Sequence, residues 1–315
     1  KTALESGEID VAFRSFTPAE IKSLEGNADL NTLSMPTVGT RYLLINVDSH
    51  PNVDVRKAMS LSVDRSDYVS TIFEGMNNEL YSMVPEGFSY GCGEGDSCAF
   101  PASPNLAQVA TLMEGAGYDN TNNKYPIDLW FDNSGHYGDT EDDVANLMKI
   151  QFEATGYFTV TLKNTDWATY KTQFGTMPTF LLGWWFDYPD EENYIDPFVG
   201  SGAFSLGTNY SSPTMDGYIK TMQESTDPAA RKTAIEAAQT LMATDAPLIP
   251  LFTMTKQFVA FGKDITGVVL EPSENMHFDS IKSSRGVSTP GFELIALFIV
   301  LTTFVSFKKM KNKRN

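Results

Sequence analysis

Thr179-Phe-Leu-Leu-Gly-Trp-Trp-Phe-Asp-Tyr-Pro-Asp-Glu-Glu-Asn-Tyr194 is the stretch on which the reading of this chain turns. Residues 179–185 form a near-continuous apolar run, the pattern of a strand covered on both faces of its sheet. Pro189 then interrupts it, and Asp190, Glu191 and Glu192 read as a solvated acidic loop. A strand buried on both faces needs helices on both sides, so helical segments should alternate with strands along the chain.

They do. Upstream, Ile127, Leu129 and Phe131 alternate as in a strand, and Phe158, Val160 and Leu162 repeat the pattern. Between them, residues 144–154 read as a helix entered through Asp139-Thr-Glu-Asp-Asp143, carboxylates that suit a positive helix N-terminus. That acidic run lacks the glycine and ligand spacing of an EF-hand calcium loop. Short helices are predicted over 66–73 and 166–174, and another opens at Ser103-Pro104 and runs to Gly117. Val55, Met59 and Val63 share one helical face in 54–63. Thr17-Pro-Ala-Glu20 carries an N-cap, a first-turn proline and a capping-box glutamate, and Gly26 closes that helix. Residues 213–222 and 227–242 are further helices. Strands are predicted at 9–13, 42–47, 248–252 and 257–261. The fold class is therefore α/β.

With 315 residues, 42% of them hydrophobic, the chain can bury a large core, and its length suggests about two domains. The net charge is -17, from 23 basic and 40 acidic residues. Lys308, Lys309, Lys311, Lys313 and Arg314 crowd the C-terminus. Setting those five and Glu293 aside leaves 18 basic and 39 acidic residues over 1–291, or -21. A surface that acidic repels phosphate backbones and excludes nucleic acid as a partner. Cys92 and Cys98 lie in Tyr90-Gly-Cys-Gly-Glu-Gly-Asp-Ser-Cys98, and a disulfide in an oxidising compartment is the expected state. The rival is a metal site adding Glu94 and Asp96, but the spacing is not that of a zinc knuckle and no histidine is nearby. No metal or cofactor is expected.

Phe292-Glu-Leu-Ile-Ala-Leu-Phe-Ile-Val-Leu-Thr-Thr-Phe-Val-Ser-Phe307 is apolar all round and closed by a basic run, a stop-transfer pattern. Residues 292–307 are predicted to be a transmembrane anchor, 308–315 a cytoplasmic basic tail and 282–291 a polar linker, with everything before it outside the cell. Lys1-Thr-Ala-Leu-Glu has no apolar h-region, so an export signal is expected in a missing upstream portion.

Seven segments, in order, resemble the peptide-, nickel- and oligosaccharide-binding family of extracytoplasmic solute-binding proteins. They are Ala3-Leu-Glu-Ser-Gly-Glu-Ile-Asp-Val-Ala12; Gly39-Thr-Arg-Tyr-Leu-Leu-Ile-Asn-Val47 with Asp54-Val-Arg-Lys-Ala-Met-Ser-Leu-Ser-Val-Asp-Arg65; residues 107–118; Asp166-Trp-Ala-Thr-Tyr170; Leu182-Gly-Trp-Trp-Phe-Asp-Tyr-Pro-Asp-Glu-Glu-Asn-Tyr194; Asn209-Tyr-Ser211 with Pro213; and Ala246-Pro-Leu-Ile-Pro-Leu-Phe252. The resemblance covers about 281 residues. It implies a two-lobed periplasmic-binding-protein-like fold, with 1–43 and 252–281 in lobe one and 44–251 in lobe two. The strands at 42–47 and 248–252 would be the crossings. Ser288-Thr-Pro-Gly-Phe-Glu293 also resembles the PGF-type C-terminal sorting signal of archaeal surface proteins, which implies a tail that is cut and replaced by lipid.

The function so implied is that of a membrane-anchored, non-enzymatic binding component of an ABC importer. It would capture short peptides between its lobes and hand them to permease subunits on the outer face of the membrane. Relatives offer a strand edge at Gly183, Trp184, Trp185, Asp187 and Tyr188, where the aspartate receives the ligand ammonium. Asn209 and Tyr210 are further contact candidates, and Arg41 and Tyr42 are hinge or cleft candidates. One tryptophan of the pair is expected to line the cleft and the other to enter the core. Residues 172–182 contain no Lys or Arg, unlike some peptide-binding members. That keeps an oligosaccharide ligand as the alternative. A glycoside hydrolase using Asp187 and Asp190, or a structural surface protein, is the alternative from another class. His50, His136 and His277 fall in no catalytic motif.

Overall fold

The structure is a computed structural model and describes residues 1–14, 16–85, 87–202, 206–271 and 275–285. The first strands and helices are α1 (Thr2–Glu5), β1 (Val11–Phe13), α2 (Pro18–Glu25), β2 (Leu30–Met35) and β3 (Thr40–Ile45). Next come α3 (Val53–Ser60), α4 (Arg65–Asp67) running into a π-turn at Tyr68–Ile72, α5 (Leu106–Gly115), β4 (Tyr125–Asp132), α6 (Glu141–Ala154) and β5 (Phe158–Thr165). The chain continues through α7 (Trp167–Tyr170), β6 (Thr179–Trp184), a 3-10 turn at Glu191–Tyr194, α8 (Asp196–Val199), α9 (Pro213–Glu224) and α10 (Pro228–Asp245). It closes with β7 (Leu248–Thr253), β8 (Gln257–Gly262), β9 (Ile265–Thr266) and β10 (Lys282–Ser283).

The apolar strand β6 lies inside a five-stranded sheet of order β5-β4-β6-β3-β7. β4 runs parallel to β5 and β6, while β3 is antiparallel to both β6 and β7. Alternation along β3 divides the interior in two. Leu43 and Ile45 face a core shared with α3, α5 and α6, through residues such as Met59, Val109 and Met148. Tyr42 and Leu44 face a second core built with α9 and α10, through Ile219, Ile235 and Met242. Helices thus cover both faces, which is why these strands are apolar throughout.

A smaller sheet of order β1-β8-β2, backed by α2 through Ile21 and Leu24, stands beside the larger one. The predicted capping box of α2 is present: the Thr17 hydroxyl accepts from Glu20 N, and the Glu20 carboxylate accepts from Thr17 N. The chain passes between the sheets at residues 36–39 and 254–256. The strands expected to be crossings, β3 and β7, pair antiparallel in the larger sheet, from Thr40 opposite Thr253 to Leu44 opposite Leu248.

Cys92 and Cys98 form a disulfide, as expected. Among the described residues no helix is long and apolar enough to cross a membrane. The predicted anchor at 292–307 and the basic tail lie outside the described residues.

Candidate ligand-binding site

Because β6 runs opposite to β3, the N-terminal end of β3 meets the C-terminal ends of β6 and β7. In open α/β sheets, ligands gather at the carboxyl ends of parallel strands. A cavity of about 410 Å³ opens there, between the two sheets. Its wall is largely aromatic and aliphatic, with Phe13, Phe16, Phe252 and Phe258 among the rings, and it also carries Arg41, Tyr137, Glu141, Trp185 and Met254.

Two glycines shape this wall. Gly183 pairs with Arg41 across the β3–β6 ladder, and a Cβ there would fall 2.8 Å from the Tyr137 ring and against the tip of Met254. At Gly39 an added Cβ would come 2.7 Å from the Trp185 indole nitrogen and 3.1 Å from Met254 Sδ. A side chain at Gly39 would therefore displace Trp185 and Met254, and one at Gly183 would displace Met254 and Tyr137.

Alternation separates the two tryptophans. Trp185 is 38% exposed and lines the cavity. Trp184 turns to the opposite face, where its ring meets Phe198 edge-on at 5.3 Å and its indole N–H donates to Asn193 Oδ1. The same Asn193 oxygen accepts from the backbone N of Asp187 at 2.8 Å, which fixes the turn after β6. Asp187 is exposed on that turn, two residues beyond the cavity wall, and its carboxylate has no ion-pair partner among the described residues. Tyr188 is also exposed, and its hydroxyl donates to Glu192.

Glu192 corrects the picture of a solvated acidic loop. It is buried and also accepts from Gln223 Nε2, while Asp190 pairs with Arg231 at 2.6 Å. The short helical turns over 191–199 place these carboxylates against α9 and α10, and charges so placed need partners.

Arg41 is 4% exposed and lies on the cavity side of β3. It forms a buried ion pair with Glu141, the first residue of α6, and its guanidinium sits 3.6 Å from the centre of the Tyr137 ring. Burial alone would lower the Arg41 pKa; the Glu141 carboxylate, with the Tyr137 and Tyr170 hydroxyls beside it, turns this into a net rise, so the guanidinium stays charged. The loop carrying Tyr137 is shaped by buried Asp132, whose carboxylate accepts from Ser134 N, Ser134 Oγ and His136 N. His136 stacks flat on Trp167 at 3.7 Å and also lines the cavity.

The remaining candidates lie elsewhere. Tyr42 is fully buried against Phe198 in the second core, because neighbours on a strand point to opposite faces. Asn209 and Tyr210 sit at the other end of β3: Asn209 Nδ2 donates to Asp48 Oδ2 at 2.9 Å and the Tyr210 hydroxyl to Asp245 at 2.5 Å. The length of β3 separates them from Arg41 by about 17 Å. Conversely, Tyr137 and Met254 carry no signal in the sequence, and Glu141 reads there only as one of the carboxylates at a helix N-terminus. For Glu141 a further signal existed: it shares one helical face with Val144, Ala145 and Met148, the buried face of α6.

Residues 1–205 match the family described as "Bacterial extracellular solute-binding proteins, family 5 Middle". Among curated proteins, the chain is 22% identical over 272 residues to the dipeptide-binding protein of Escherichia coli (strain K12), covering 84% of this chain and 49% of that protein. Among solved structures, it is similar to the dipeptide-binding protein of Pseudoalteromonas sp. SM9913 in complex with Met-Leu, with a TM-score of 0.78, 21% identity, and coverage of 90% of this chain and 55% of the other. It is also similar to OppA of Haemophilus influenzae in complex with RPPGFSPFR, with a TM-score of 0.76, 19% identity and coverage of 90% and 55%. These likenesses show the two-sheet α/β fold, and the chain spans about half the length of the relatives it matches. A family model matching more than half of the chain decides membership: this is a member of family 5 of the bacterial extracellular solute-binding proteins.

Proposed function

We propose that this chain is the ligand-capturing portion of an extracytoplasmic binding protein that takes short peptides into the cavity between the sheets and presents them to ABC permease subunits. The observation that carries the reading is the cavity itself. It lies at the carboxyl ends of the parallel strands and is walled by Trp185, Arg41 and Tyr137. Relatives of the same fold include a complex with Met-Leu.

The edge at Gly183 and Trp185 would meet the ligand. Asp187, on the turn that Asn193 holds, would receive its ammonium group by a charge-assisted hydrogen bond. Family membership argues for binding without catalysis, and Asp190, committed to Arg231, is poorly placed to form a hydrolase pair with Asp187. An oligosaccharide would want adjacent aromatic faces, and Trp184 is turned away into the core. We further propose that residues 292–307 anchor the protein to the outer face of the membrane, with the Pro-Gly-Phe segment directing replacement of the tail by lipid.

The test is a thermal-shift screen of the chain against di- to octapeptide pools and oligosaccharides. A ligand at 100 times its Kd adds about 2.7 kcal/mol, several degrees in midpoint. A rise with peptides that Asp187→Ala removes is the expected result. A rise with saccharides alone would overturn the peptide assignment.

A further inference from the structure

Three arginines are buried in the larger sheet's surroundings, and they differ in what their nitrogens reach. Arg56 donates through Nε to the carbonyl of Asp245 and through Nη1 to those of His50 and Pro51. Arg65, wholly enclosed, donates to the carbonyls of Leu80, Pro250 and Pro101; its Nη2 is unpaired, but it forms no part of the cavity wall. Arg41 is the one of these three on the cavity wall. Its Nη2 donates to Glu141, while its Nη1 is buried with no hydrogen-bond partner.

A buried guanidinium N–H without an acceptor is costly, and a guanidinium can accept a second carboxylate on the edge its first partner leaves free. The cover over this edge is adaptable. A Cβ on Gly183 would touch both the Arg41 stem, 3.2 Å from Cδ, and the tip of Met254, so these two side chains meet above the same glycine. Met254 is unbranched and shifts between rotamers at low cost. Of the other basic groups on the wall, Arg14 holds its guanidinium carbon 5.4 Å from the centre of the Phe13 ring, and the remaining two are committed or neutralised. Lys256 pairs with Glu25 at 2.9 Å, and burial lowers the His136 pKa toward the neutral form, against the opposing pull of Asp132.

We infer that Arg41 reads a carboxylate of the ligand, its main-chain terminus, reached when the Met254 side chain swings aside. The assignment rests on the peptide reading above and supplies the basic group that residues 172–182 lack. Glu141 and Tyr137 are positioning residues for it. Glu141 holds one edge of the guanidinium, and the Tyr137 ring supports its face while its hydroxyl accepts from Gly183 N at 3.0 Å.

The experiment is calorimetric titration of the chain with trileucine, trileucine amide and Leu-Leu-Glu amide, repeated on the Arg41→Gln/Glu141→Gln double variant, which leaves no lone buried charge. Wild type should bind trileucine at least about tenfold more tightly than its amide, the contribution of one charge-assisted hydrogen bond. The double variant should bind the two alike. Preference for Leu-Leu-Glu amide over both would keep Arg41 as the reader and move the carboxylate to a side chain. Equal binding of all three by wild type overturns the assignment while leaving peptide capture standing, as does a full preference that survives in the double variant. Failure to bind any of the three overturns both.

Discussion

The two ends of the five-stranded sheet are built from the same strands and use their polar groups in opposite ways. At the end where β3 finishes, the chain consumes its own donors: Arg56 is spread over three carbonyls, Tyr210 donates to Asp245, and Asn209 donates to Asp48. At the end where β3 begins, Gly39 and Gly183 leave the backbone bare, Trp185 stands partly exposed, and Arg41 keeps an N–H unused. Burial is similar for the two arginines, 4% exposed for Arg41 and 6% for Arg56. Depth therefore does not separate these two arginines; what differs is that Arg41 stands on the cavity wall with an N–H unused, while Arg56 is spent on carbonyls away from it.

The largest effect should come from breaking the cavity-end ion pair. Glu141→Leu leaves Arg41 charged, buried and without a counter-ion, and should cost about 3–5 kcal/mol in urea unfolding. Arg41→Met combined with Glu141→Leu should recover most of that, because the desolvation of both charges is removed together. Equal costs for the single and double variants would contradict the pairing.

The other end makes a pH prediction. His50 Nδ1 lies 2.7 Å from the Tyr125 hydroxyl, while Nε2 is buried without a partner, so a second proton would find no acceptor. Burial, then the charge of Arg56, holds the His50 pKa down at about 4, against an ordinary value of 6.5. The unfolded chain takes up this proton first as pH falls, so stability is full above about 6.5 and declines toward about 4, by roughly 2–3 kcal/mol. His50→Gln should flatten that part of the pH–stability curve, and an unchanged curve would contradict it. The smallest effect belongs to Tyr210→Phe, which removes one hydrogen bond at the rim and should cost about 1 kcal/mol.

Much of this architecture was legible in the sequence. The run at 179–185 announced a doubly covered strand, and the capping box at Thr17 fixed the start of α2. Strand β2, Leu-Asn-Thr-Leu-Ser-Met, was not found, because its apolar residues keep no period of two and its partner β8 lies more than two hundred positions away. The turns over 191–199 were hidden inside an acidic stretch whose buried members are visible only once α9 and α10 fold against them. Within the site, strand alternation foretold that Trp184 and Trp185 would part company. The pairing of Arg41 with Glu141 joins residues 100 positions apart and left only the faint trace of a carboxylate on the apolar face of α6. Asn209 and Tyr210 follow the site motif in sequence, but the chain returns along the sheet before reaching them.

We place the ligand at the start of β3 and not at its end. Calorimetric titration of one peptide identified by thermal shift into wild type, Trp185→Leu and Tyr210→Phe tests this directly. Trp185→Leu should lose at least tenfold in affinity, since burying a large aromatic face contributes more than about 1.4 kcal/mol, and Tyr210→Phe should bind unchanged. Loss of binding in Tyr210→Phe with full affinity in Trp185→Leu would contradict it.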